Sequence, residues 1–121
     1  MPKKILIVED DPVARQIMHT LLKSKYQVFV SGDAMSALVE ARNRKPDLII
    51  LDLGIPAGGG LTFLQRVKAI PALSVILVLI VSGQDRNENE PRALAAGADG
   101  YLQKPPPDDQ LLAKIHELIG E

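Results

Sequence analysis

The chain has no cysteine and no tryptophan, and aromatic residues are only 3% of its 121 positions. Without cysteine there is no disulfide, no zinc–thiolate centre and no thiol nucleophile, a composition compatible with a reducing compartment. A one-sided charge is also missing: fourteen basic residues against fifteen acidic leave a formal net charge of -1. No broad field therefore favours nucleic acid or an anionic membrane. Long apolar runs are absent as well, the longest spanning residues 75–81, against the ~20 residues that a membrane helix needs. The opening Met1-Pro2-Lys3-Lys4 leads into a short apolar run without the length or cleavage site of a signal peptide. These absences predict a cytoplasmic protein that binds neither membrane nor, directly, nucleic acid. With 46% hydrophobic and 24% charged residues, the chain reads as one globular unit over residues 1–121, able to bury a core without covalent help.

What is present is a set of short apolar runs, each delivering polar residues that handle phosphate. The run at 5–8 leads into Glu9, Asp10 and Asp11, the run at 48–51 into Asp52, and the run at 75–81 into Ser82 and Gly83. A shorter run at 100–103 leads into Lys104 and Pro105. Segments of helical period lie between them. Asp11 can cap a helix starting at Pro12, with Ala14, Ile17, Met18, Leu21 and Leu22 as its apolar stripe. A strand at 27–31 precedes a helix at 34–44 with Ala37, Leu38 and Ala41 inward. Gly54, Pro56, Gly58, Gly59 and Gly60 predict an irregular loop before a helix on Leu61, Leu64, Val67 and Ile70. The run at 75–81 is continuously apolar, as suits a central strand. Gly97 should end a helix near Ala96, and Leu111, Leu112, Ile115, Leu118 and Ile119 line one face of the last helix. Five strands alternating with five helices predict an α/β fold, a parallel sheet covered on both faces.

If the strands are parallel neighbours, their carboxyl ends bring acids, a hydroxyl and an ammonium to one edge. Phosphoryl transfer needs a nucleophile, a cation and further donors for the charge on the phosphoryl oxygens. Asp52 can accept a phosphoryl group as an acyl phosphate, and Glu9 and Asp10 offer the oxygen ligands that Mg2+ prefers. Ser82 can donate a hydroxyl and Lys104 a mobile charge. Each residue alone has a plainer reading: helix capping for the acids at 9–11, a loop acid at 52, a turn at Ser82-Gly83, a solvated lysine at 104. For Asp11 capping remains the preferred role. The joint pattern carries the specificity.

The motifs Ile5-Leu6-Ile7-Val8-Glu9-Asp10-Asp11, Pro46-Asp47-Leu48-Ile49-Ile50-Leu51-Asp52-Leu53-Gly54-Ile55-Pro56, Val81-Ser82-Gly83, Ala95-Ala96-Gly97-Ala98-Asp99-Gly100-Tyr101 and Leu102-Gln103-Lys104-Pro105 match, in order and separation, one family. Over essentially its full length the chain resembles the receiver domain of two-component response regulators, similar to the chemotaxis type. The resemblance implies a flavodoxin-like (βα)5 three-layer α/β/α sandwich with strand order 2-1-3-4-5. It implies a phosphorelay switch in which Asp52 is the phosphoacceptor, fed by a sensor histidine kinase or histidine phosphotransfer protein. Glu9, Asp10, Asp52 and the Gly54 backbone carbonyl are then the Mg2+ ligands. Ser82 is the switch hydroxyl, Lys104 its ion-pair partner, Tyr101 the aromatic that follows Ser82, and Lys104-Pro105 a cis peptide. Such a domain is regulatory and catalyses only its own phosphorylation and dephosphorylation. Its output face is the fourth helix, fifth strand and fifth helix, toward an unidentified downstream protein or effector domain; analogy also allows a transient homodimer through helices four and five.

Some positions depart from the family pattern. Pro91 falls in the second turn of the fourth helix, so regular helix is expected only from about Glu90, with 85–89 loose. Lys104 is followed by three prolines, stiffening that connection. Gly54 and Gln84 hold the two positions that tune phosphoryl loss, and with no side chain on Gly54 that role falls to Gln84. His19 and His116 are isolated and suggest no metal site. Two alternatives use the same sheet edge. A metal-dependent aspartyl-phosphate phosphohydrolase of the haloacid-dehalogenase type lacks its second acid here, since Asp52-Leu53-Gly54 replaces Asp-x-Asp. An FMN-binding flavodoxin-like module lacks stacking aromatics and a Ser/Thr-rich phosphate loop.

Overall fold

In the computed structural model, residues 2–55 and 59–120 are described. In chain order they form β1 (Lys4–Val8), α1 (Pro12–Leu22), β2 (Gln27–Ser31), α2 (Ala34–Arg44), β3 (Leu48–Leu51), α3 (Gly59–Ala69), β4 (Leu77–Ser82), α4 (Arg86–Ala95), β5 (Gly100–Gln103) and α5 (Asp108–Ile119). The strands pair in parallel in the order β2-β1-β3-β4-β5, as the resemblance implied.

Strand periodicity divides the core in two. Ile5 and Ile7 of β1, Leu48 and Ile50 of β3, and Leu79 and Val81 of β4 face Met18 and Leu22 of α1 and Leu111 and Ile115 of α5. The alternate residues Leu6, Val8, Ile49, Leu51, Val78 and Ile80 face α2, α3 and α4 through Ala37, Ala41, Phe63, Leu64, Val67 and Ala93. Because both faces are covered, strand residues of either parity are apolar, which is why these runs show no alternation. Each fully buried aliphatic or Phe side chain contributes about 1.5–3 kcal/mol.

Helix ends follow local chemistry. Asp11 caps α1 by accepting from Val13 N at 3.2 Å, and Asp33 caps α2 by accepting from Ser36 N at 2.8 Å. Gly97, at φ +107, follows the C-cap of α4 and takes the left-handed conformation expected of it.

Four expectations need correction. Val75 lies outside β4 and is 80% exposed. The chain first turns, with Leu73 N and Ser74 N donating to Ile70 O, and Lys68 Nζ takes the carbonyl of Ile76 at 2.7 Å. Leu73 and Ile76 then point inward while Val75 points to solvent. On α1, Ile17 is 60% exposed, at the edge of the buried stripe rather than within it. Gly59 and Gly60 open α3 instead of lying in a loop. A Cβ on Gly60 would come within 2.6 Å of both Asp52 O and Leu53 Cα, so only glycine lets the helix start against that backbone. Pro56 and Gly58 lie outside the described residues.

The fourth correction concerns α4, which is continuous from Arg86 through Pro91. Asp85 caps it through Asn87 N at 3.0 Å, and Asn89 N donates to Asp85 O at 3.0 Å, so regular helix begins five residues before Pro91. The proline removes one donor, the partner of the Asn87 carbonyl. Both residues are exposed, so water can satisfy that oxygen. The ion pairs Arg86–Glu90 and Glu88–Arg92 bracket the site.

Candidate functional site

Register decides which residues meet. Val8 pairs with Leu51, so the chain leaves β1 and β3 at the same level, and Asp52 N donates to Val8 O at 3.0 Å. One carboxylate oxygen from each of Glu9, Asp10 and Asp52 then lies within 4.8 Å of the others. These three can hold a cation. Ser82 ends β4 beside Gln103, and Lys104 N donates to Ser82 O at 2.8 Å, which brings the Lys104 side chain to the same edge.

Glu9 is fully buried. Its Oε2 accepts from Asp11 N at 3.2 Å, and its Oε1 pairs with Lys104 Nζ. The same ammonium lies 3.3 Å from Asp52 Oδ2, while Asp52 Oδ1 accepts from Gly54 N at 3.0 Å. Burial pushes the Glu9 carboxyl above the usual range, more strongly than Lys104 pulls it down, and the charge of Asp52 adds to the rise. For Lys104, burial alone would depress the ammonium, but the hydrogen bond to Glu9 and the charges of Asp52 and Glu9 outweigh it and the group is raised. The lysine is therefore a firm cation, and burial works against the charge of Glu9.

Ser82 is fully buried, with its Oγ accepting from Gln84 N at 3.1 Å. That bond leaves its own proton available to another acceptor. Tyr101 is buried too, its hydroxyl without a partner among the described residues, and the Arg86 guanidinium lies 5.7 Å from its ring centroid. The Lys104-Pro105 peptide is cis. A Cβ on Gly54 would stand 3.6 and 3.8 Å from the Asp52 carboxylate oxygens and 3.9 Å from Gln84 Nε2, so the Asp52 carboxylate and the exposed Gln84 side chain both border the space at Gly54.

The structure thus brings Glu9, Asp10, Asp52 and Lys104 into one cluster, with Gly54, Ser82 and Gln84 around it. Asp11 stands aside as a helix cap. His19 and His116, on α1 and α5, belong to no acidic or metal-ligating group among the described residues. A residue that sequence reasoning missed is Arg15, on α1, which donates from Nη1 to Glu9 O at 3.3 Å. An arginine between apolar helix positions looks like a solvated surface residue, and only the folded β1–α1 turn reveals its target.

Comparison with known proteins agrees with this fold. The family model of the response regulator receiver domain matches residues 5–116. The KDP operon transcriptional regulatory protein KdpE of Escherichia coli K12 is 39% identical over 112 residues, 92% of this chain and 48% of the relative. The phosphate regulon transcriptional regulatory protein PhoB of the same organism is 32% identical over 120 residues, 98% of this chain and 52% of the relative. The chain thus spans about half the length of these curated relatives. The crystal structure of a CheY-like response regulator receiver domain protein from Methanospirillum hungatei JF-1 superposes with a TM-score of 0.92 at 29% identity, covering 99% of this chain and 95% of that one. Neither the phosphohydrolase nor the flavin-binding alternative finds support in these matches. With this fold, this cluster and a family match from Ile5 to His116, the chain belongs to the response regulator receiver domains, the phosphorelay switches of signal transduction.

Proposed function

We propose that Asp52 is the phosphoacceptor of this switch and that Glu9, Asp10, Asp52 and the Gly54 carbonyl hold Mg2+. The observation that carries the reading is the convergence of three carboxylates with the Lys104 ammonium at one sheet edge. The donor set suits the ion, being hard oxygen without sulfur or nitrogen. When bound, Mg2+ supplies neutralisation of the phosphoryl oxygens. An Asp52 carboxylate oxygen forms the new O–P bond as the bond from phosphorus to the imidazole nitrogen of a donor phosphohistidine breaks, and the departing imidazole takes up a proton. The donor is a sensor histidine kinase or a histidine phosphotransfer protein.

The added group is larger than a carboxylate and carries more negative charge. Lys104, already beside Asp52, passes to a phosphoryl oxygen, and Ser82 turns its free proton toward another. Tyr101, inward in this structure, follows Ser82 and alters the face made by α4, β5 and α5, toward a downstream protein or effector domain. Residues 1–121 act as one cytoplasmic regulatory domain that catalyses only its own phosphorylation and dephosphorylation, without contacting nucleic acid directly. Gln84, bordering the space that Gly54 leaves open, sets the access of water to the acyl phosphate.

Incubation with Mg2+ and a small phosphodonor, or with beryllofluoride, should add one group at Asp52, read by mass spectrometry, and Asp52→Ala should remain unmodified. Wild type that stays unmodified, or a variant modified equally well, would sink the reading. In the same experiment Gln84→Ala should change the adduct lifetime, and an equal lifetime would remove Gln84 from the account.

A further inference from the structure

We infer that Arg15 is a positioning residue for the metal acids, working through the peptide that joins Glu9 to Asp10, in a slot that Gly32 keeps open. The inference rests on the metal-binding role proposed above for Glu9, Asp10 and Asp52. Glu9 is fastened at four points: its N–H donates to Ser31 O at 2.9 Å, its Oε2 accepts from Asp11 N, its Oε1 pairs with Lys104 Nζ, and its carbonyl accepts from Arg15 Nη1. Asp10 is exposed, and no side-chain hydrogen bond anchors its carboxylate among the described residues. Where that carboxylate points therefore depends on the backbone that carries it.

A peptide unit is planar, so fixing the Glu9 carbonyl oxygen fixes the rotation of the whole unit, including the N–Cα bond of Asp10. Arg15 supplies that fixation from the first turns of α1, and a guanidinium donor makes the bond charge-assisted. Gly32 completes the arrangement. A Cβ there would lie 3.0 Å from Arg15 Nη1 and 4.0 Å from Glu9 O, so a side chain would intrude on the guanidinium before anything else. Gly32 carries no positive φ, so alanine is not excluded by its backbone conformation.

The sign of the effect separates positioning from charge. Arg15 is a cation near a site for a dication, so by Coulomb's law alone its removal should tighten Mg2+ binding. Positioning demands the opposite. Partners behind metal ligands typically contribute 10–100-fold to affinity.

The test is Mg2+ titration of the intact chain by calorimetry, alongside the rate of modification by a small phosphodonor at saturating Mg2+. Arg15→Ala should weaken Mg2+ binding about tenfold while the rate at saturation stays near wild type. Gly32→Ala should weaken binding in the same direction, and in the Arg15→Ala background it should add little, because the group it displaces is gone. Unchanged or tighter binding by Arg15→Ala, or fully additive losses in the double variant, would overturn the positioning role. Asp10→Asn is the reference. If it loses Mg2+ while Arg15→Ala does not, this inference alone fails; if wild type binds no Mg2+, the proposed metal role fails and takes this inference with it.

Discussion

At the scale of single residues, Glu9 sits at odds with its surroundings. It is buried, lies among two other carboxylates and shares one ammonium with Asp52. Its carboxyl is raised, chiefly by desolvation, so the fold disfavours the charged form. For an acid with a raised folded value, stability is fully present below the unfolded value and is lost as pH rises through the folded one. At neutral pH, without metal, Glu9 therefore weakens the fold. Glu9→Gln keeps an acceptor for Asp11 N and removes the charge. Its metal-free thermal midpoint at pH 7 should exceed that of wild type, and acidification should narrow the gap as the Glu9 carboxyl takes up its proton. Calorimetry in EDTA measures this, and a lower midpoint in the variant would contradict it. The residue types at 9, 10, 52, 82 and 104 were legible in the sequence because strand ends announce them. The sharing of Lys104 between Glu9 and Asp52 was not, because it depends on how far a flexible side chain reaches across two strands.

At the scale of elements, legibility followed the range of the forces involved. The bounds of β2 and α2 were readable because local chemistry sets them: Asp33 caps α2 at its start, and at its end Lys45 closes the chain in a left-handed conformation just before Pro46. The start of β4 was not readable, because Val75 is turned outward by contacts that Lys68 and Ile70 make from the preceding helix and turn. Pro91 misled for a different reason. Its local penalty is real, but a single lost hydrogen bond at an exposed carbonyl is outweighed by the Asp85 cap, the flanking ion pairs and the burial of Ala93 against the core. The penalty should still be measurable. Pro91→Ala restores a donor to the Asn87 carbonyl, with a benefit of up to ~3 kcal/mol in a helix interior, reduced by about 0.4–1 kcal/mol because alanine leaves the unfolded chain freer. The variant should unfold at higher urea and show slower amide exchange across α4. Unchanged urea midpoint and exchange would mean that the helix already accommodates the proline without cost.

At the scale of the whole molecule, two apolar cores clamp the sheet from either face, so the ends of β1 and β3 have little freedom to move apart. The rigidity that supports the site also keeps its acids close: the Val8–Leu51 register brings one oxygen of each of three carboxylates within 4.8 Å of the others. Like charges held at that distance oppose folding, and a bound dication removes the opposition while joining segments that follow two different strands. Binding to the folded chain alone must then raise its stability by mass action, by about 2.7 kcal/mol at a hundredfold excess over the dissociation constant. For a domain of this size that corresponds to a midpoint rise of roughly 10 °C. Differential scanning calorimetry with Mg2+ should show the rise, EDTA should reverse it, and Asp52→Ala, which removes one ligand, should show much less of it. Equal midpoints with and without Mg2+ at saturating concentration would mean that the acid cluster does not hold the ion, and the mechanism proposed for Asp52 would lose its cation.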